Sequence, residues 1–234
     1  MFSNILQILR NGQLEDQIAG DIDSMISLAR QSVMAAGEFF WGKHMSDEDR
    51  IRLCGQAEAI AETERMVRNL MLVHLPLTTS TDRAHFLGLI NLLREIERLG
   101  ERAKNLVEIA RLGSYPLPTD ERVTELRALS ASMEKMLCDV PNVLCGPDIK
   151  TAQRLTEIGR ENMRKAESLI ESIAHSDYQA CHAVVLALGV RSYARIQRQV
   201  LNVLSSVIIP LHCVDFCEER APEEQPPSSA ARRW

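Results

Sequence analysis

The sequence predicts an all-α protein of six long helices that form two tandem three-helix bundles, and three observations carry that prediction. Aromatic residues make up only 4% of the 234-residue chain and glycine occurs 11 times, a composition that suits helices and falls short for a strand-rich fold. Apolar residues recur at steps of three and four over most of the length, the period of one helix face. A faint repeat at an offset of 97 residues sets the third helix against the last, as tandem copies of one unit would.

The first helix is marked by Leu14, Ile18, Ile22, Met25, Ala29, Val33, Ala36 and Phe40, a single apolar stripe. Ser46, three residues before Asp49, opens a second, which Ile51, Cys54, Ile60, Val67, Leu70 and Leu72 carry to about His74 before Pro76 stops it. His74 is placed to cap its last carbonyls. The third starts at the cap offered by Thr78 to Asp82 and runs to about Leu112, ahead of Gly113 and Pro116. Thr119, Asp120 and Glu121 open a fourth that Pro141 is expected to end. Gly146-Pro147-Asp148 turns the chain into a fifth helix reaching about His175, and Ser176-Asp177 caps a sixth expected to run to Phe216 with a bend near Pro210. The expected units are residues 1–116 and 117–216, with 217–234 carrying the proline, serine and charge bias of a flexible tail.

A formal charge of −5 argues against a nucleic-acid binder, which needs a clustered basic face. Arg191, Arg195 and Arg198 do cluster, but on one helix without aromatic interleaving, and read as a solvated or partner-facing stripe. The opening residues lack a signal peptide's charged start and cleavage site, so the protein is expected in the cytoplasm. The six cysteines lie in apolar helical stretches and are expected to be buried free thiols. The charge-free run from Gln199 to Val214 is too short and too polar for a membrane span.

Phosphate-binding glycine loops, a nucleophile elbow and a helical zinc-protease motif are all missing from the sequence, and no enzyme is expected. His212, Cys213 and Cys217 place soft ligands near the chain's end, but without zinc spacing, and Cys181 and His182 are adjacent and therefore diverge on a helix.

The most informative stretch is LLREIERLGERAKNLVEIA, Leu92 to Ala110. Steps of three or four place Glu97, Glu101, Asn105 and Glu108 on one stripe beside the apolar row. Solvated ion pairs with Arg98, Arg102 and Lys104 would balance the carboxylates; a metal ion completed by a facing helix would do so too. Gly100, inside this helix, costs roughly 1 kcal/mol relative to alanine. Sliding by 97 residues matches Arg94 with Arg191, Arg98 with Arg195 and Asn105 with Asn202. The apolar matches follow from periodicity alone, so these three polar matches carry the repeat.

The string Glu97-Arg98-Leu99-Gly100-Glu101, followed by Asn105, resembles the signature of PhoU-type phosphate regulators, approximately E-R-I-G-D with an asparagine four residues on. The resemblance spans roughly residues 1–216 and implies two three-helix bundles, each with this motif in its third helix. It also implies that Gly100 permits close approach of a neighbouring helix or of an ion's ligands; close packing without an ion explains the glycine equally well. Members of that family hold iron or zinc between the third-helix carboxylates and an acidic pair on the second helix. In the family register, Ala57 and Ala61 occupy the second-helix positions here, with Glu58 and Glu62 one residue round. The first repeat is therefore the candidate metal site, through Glu97, Glu101, Asn105, Glu58 and Glu62. In the second, Ala194 and Arg198 replace the carboxylates, and no metal is expected because arginine cannot ligate a cation.

The resemblance implies a non-enzymatic regulatory adaptor, with Arg98, Gly100, Arg195 and Asn202 as scaffold or partner motif. Its partners would be a phosphate transporter or sensor kinase at the cytoplasmic membrane face, reached peripherally, and a homodimer is compatible with it. The alternative is a metal-binding helical protein or metal-dependent enzyme built on the helix carboxylates.

Overall fold

A computed structural model describes residues 13–74, 80–113, 115–145 and 148–208. These hold six helices: α1 (Gln13–Phe40), α2 (Asp47–His74), α3 (Ser80–Arg111), α4 (Glu121–Cys145), α5 (Ile149–Ala174) and α6 (Ala180–Ile208). No strand occurs among the described residues. The expected tail, the end of helix six with Pro210 and Phe216, and His212, Cys213 and Cys217 lie outside them.

Local chemistry sets the helix starts. At α2 the Ser46 hydroxyl accepts from the Asp49 N–H at 3.1 Å while the Asp49 carboxylate accepts from the Ser46 N–H at 3.2 Å, a reciprocal capping box. Asp120 accepts from the Val123 N–H at 3.0 Å and Asp148 from the Thr151 N–H at 3.1 Å, giving α4 and α5 their N-caps.

Four expectations need correction. The inward stripe of α2 is Leu53, Ala57, Ile60, Glu64, Val67 and Met71, whereas Ile51 and Leu72 are exposed. A reading that counts only large apolar residues misses a stripe built partly of alanine and glutamate. Pro141 does not end α4, which continues to Cys145: the ring deletes one backbone donor near the helix end, and the buried Val143 and Leu144 beyond it keep the turn packed. Helix α6 starts at Ala180 rather than directly after Ser176: the Ser176 hydroxyl donates to the Ile173 carbonyl at 2.6 Å and accepts from the Tyr178 N–H at 3.4 Å, holding a turn between the two helices. The cysteines correct as well, since Cys54, Cys138 and Cys181 are exposed free thiols on the polar sides of their helices.

Helices α1, α2 and α3 pack mutually, α6 packs on both α4 and α5, which also touch each other, and the halves join through α3 against α6 and α1 against α4. One hydrophobic cluster runs through all six helices, from Ile18 and Phe40 to Val200 and Leu204. At the junction, Phe40 meets Trp41 and Tyr193 edge-on at centroid distances of 5.1 and 5.6 Å, and the Arg127 guanidinium sits 4.1 Å over the Trp41 ring. Three of the described aromatics, Phe40, Trp41 and Tyr193, thus come together where the halves meet.

Candidate functional site

Gly100 lies where α3 packs tightly against α2. A Cβ there would meet Ile60 Cδ1 at 3.1 Å and the Ala57 Cα and Cβ at 3.6 and 3.7 Å. Close helix packing therefore accounts for the glycine, with Ala57 as the small residue opposite it.

The carboxylate stripe is divided among different neighbours. Glu97 is half-buried beside Glu64 of α2; burial first, then the negative charges of Glu101 and Glu64, hold its carboxyl above the usual range, against the pull of Arg98 and Arg94. Glu64 is itself 5% exposed, with Arg68 at 3.0 Å as its ion-pair partner, yet its Oε1 has no aligned hydrogen bond. Glu101 pairs with Lys104 at 2.6 Å. Glu58 and Glu62 are exposed, and Ala61 is half-buried.

Among the described residues no three His, Cys, Asp or Glu side chains are grouped as a metal's ligands. This donor arrangement does not match the iron or zinc site that the resemblance implies for the first repeat. Glu64, the buried acid of α2, is the residue sequence reasoning passed over. Its signal was there, a glutamate in register with Ala57, Ile60, Val67 and Met71.

Asn105 and Glu108 turn instead toward α6. Helices α3 and α6 run antiparallel along the seam between the halves, and the 97-residue repeat relates the two ends of that seam. At one end Asn202 donates to Glu95 Oε2 at 2.8 Å, and Arg98 donates to Glu95 Oε1 at 2.7 Å. Glu95 is thereby held between two donors, and Asn202 and Arg98 of the scaffold motif have definite work.

At the other end a cleft of about 520 Å³ opens, lined by Arg102, Asn105, Glu108, Ile109, Leu112, Leu188, Arg191, Ser192 and Arg195. The Arg102 Nε and the Ser192 Oγ are buried there without a hydrogen-bond partner, and Ser192 is only 4% exposed. Arg191, Arg195 and Arg198 are all exposed as expected, but only the first two line this cleft. Ala194 packs against the core.

A larger cavity of about 630 Å³ lies by the linker between the halves, but most of its polar side chains are engaged. The Tyr115 hydroxyl donates to the Phe40 and Ala110 carbonyls at 3.0 and 3.3 Å. Asp120 accepts from Tyr178 and pairs with Arg122, Thr124 donates to the Asp120 carbonyl, and Arg127 covers Trp41. Elsewhere, the Cys181 Sγ contacts Gln179 Oε1 at 3.9 Å. Helix α2 ends at His74, a basic residue in the last turn, where it favours the negative end of the helix dipole.

No protein-family model matches the sequence, and no curated protein does. The fold, however, is that of PhoU. The crystal structure of the phosphate transport system regulatory protein PhoU from Streptococcus pneumoniae superposes with a TM-score of 0.67 at 12% identity, covering 88% of this chain and 98% of that one. PhoU from Pseudomonas aeruginosa matches with a TM-score of 0.71 at 14% identity, over 83% of this chain and 95% of that one.

Proposed function

We propose that this protein is a non-enzymatic regulatory adaptor that couples phosphate supply to a phosphate transporter, or to the sensor kinase governing phosphate-responsive genes. The observation that carries this reading is a PhoU-like fold extending over almost the full length of a phosphate transport regulatory protein. Two features of the chain support action by contact. Ile51, Met66 and Val73 stand exposed on α2 at 68%, 51% and 70%, apolar area available to a partner. No helix among the described residues is long and apolar enough to cross a membrane, so a transporter is reached from outside the bilayer.

The metal-dependent alternative draws no support from the dispersed carboxylates of α2 and α3. The test is deletion of the gene with measurement of phosphate uptake and of phosphate-responsive transcripts in replete medium. Deregulated uptake or expression, restored by the intact gene, is the expected result; unchanged uptake and expression would overturn the proposal.

A further inference from the structure

We infer that the cleft between α3 and α6 is a binding site for a phosphate-type oxyanion, held by the guanidinium groups of Arg102, Arg191 and Arg195 with Asn105 and Ser192 as hydrogen-bond donors. The site stands on its geometry, independently of the regulatory reading.

The first support is internal to the chain. The repeat that aligns Asn105 with Asn202 and Arg98 with Arg195 also aligns Glu95 with Ser192. At the Glu95 end, a carboxylate of the protein itself sits between the arginine and the asparagine, at 2.7 and 2.8 Å. At the Ser192 end the arginine and asparagine are kept but the carboxylate is gone, replaced by a side chain too short to reach them and carrying no charge. An oxyanion entering from solvent would take the place that Glu95 fills in the other half.

The second support is the state of the groups lining the cleft. Ser192 Oγ and Arg102 Nε are buried and unpartnered, and a buried donor without an acceptor is destabilising. A bound oxyanion satisfies both. Three arginines face one acid, Glu108, leaving an excess of positive charge suited to a multiply charged anion with several acceptor oxygens. In the linker cavity, by contrast, Tyr115, Asp120, Thr124 and Arg127 already have partners. The cleft of about 520 Å³ is roomier than a single ion needs, and Ile109, Leu112 and Leu188 on its wall suit the carbon body of a phosphomonoester. Free phosphate and a phosphomonoester are the two sources of the same chemistry.

The test is calorimetric titration of the full chain, at low ionic strength against matched chloride, with inorganic phosphate and separately with glycerol phosphate. Saturable binding of one anion per chain is expected. The exposed pair Arg191→Gln/Arg195→Gln should weaken it by at least about tenfold, since a charge-assisted hydrogen bond is worth about 1.5 to 3 kcal/mol and 1.4 kcal/mol is a factor of ten. Ser192→Glu, which restores the carboxylate found in the other half, should abolish binding while leaving the melting temperature at or above the wild-type value. Tighter binding of glycerol phosphate would identify the ester as the ligand class, and equal or weaker binding the free ion. Absence of saturable binding by either anion, or binding unaffected by the arginine substitutions, would overturn the inference.

Discussion

Replacing Gly189 with alanine should destabilise the protein, although the substitution favours a helix. Gly189 lies in α6 against the end of α1, and a Cβ there would stand 2.2 Å from Phe40 Cζ and 2.6 Å from Cε2. Carbon atoms in contact prefer about 3.5 to 4.0 Å, so the ring would have to retreat by more than about 1 Å. It has nowhere to go: Phe40 is 0% exposed and is wedged edge-on between Trp41 and Tyr193. Overpacking of this kind costs about 1 to 3 kcal/mol, toward the upper end where the neighbour is a rigid ring. The gain in helix propensity returns at most about 1 kcal/mol. The net loss of about 1 to 2 kcal/mol should lower the midpoint of thermal unfolding, followed by circular dichroism, by roughly 2 to 8 °C for a chain of this size. Gly55 is the control, since it is helical and a Cβ there meets nothing within 4 Å. Gly55→Ala should be neutral or stabilising by up to about 1 kcal/mol. If Gly189→Ala melts at or above wild type, the seam between the halves is not packed as described.

Three further outcomes follow from the electrostatics and hydrogen bonds. The Glu97 carboxyl is raised by burial, Glu101 and Glu64, so the folded state binds its proton more tightly than the unfolded chain and stability falls as pH rises above the ordinary value of 4.5. Glu97→Gln should therefore stabilise the protein at neutral pH, with the advantage vanishing below about pH 4, as denaturant midpoints across pH would show. Glu95→Ala and Asn202→Ala should each destabilise by about 1 to 2 kcal/mol, and a double-mutant cycle in urea should yield a coupling of at least about 0.5 kcal/mol; additive losses would mean that the hydrogen bond between α3 and α6 contributes nothing. Burial alone would raise the Asp120 carboxyl, but the Tyr178 hydroxyl, the Val123 N–H and Arg122 outweigh it and hold it below 3.8, while Tyr178 is pushed up to about 12, by burial and then by Asp120. Tyr178→Phe should cost about 0.5 to 1 kcal/mol at pH 7, and that cost should shrink as pH falls through the Asp120 pKa and the carboxylate is protonated; a loss equally large at pH 2 would refute the assignment.

Much of the architecture was legible because periodicity and capping are local. The α1 stripe from Ile18 to Phe40 is buried at each of the predicted positions from Ile18 onward, and Ser46, Asp120 and Asp148 cap the helices they precede. The α2 register was not legible, because Ala57 faces inward through the space Gly100 leaves and Glu64 faces inward with Arg68 beside it, and both facts depend on the neighbouring helix. Pro141 shows the same limit: a local breaker is overridden when residues beyond it are packed.

The sequence by itself determined most of the helices, the 97-residue offset and the presence of Arg191, Arg195 and Asn105, since these depend on residues within a few turns of one another or at a constant offset. Only the tertiary structure decided what those side chains meet. It separated Glu97 from Asn105, one toward α2 and the other toward α6, although they share a stripe on paper. It also placed Ser192 opposite Asn105 where the other half places Glu95 opposite Asn202. The physical reason is that a helix sets the angle at which a side chain leaves the backbone, whereas burial, charge pairing and the room left for a ligand arise between helices, from residues about a hundred positions apart in the chain.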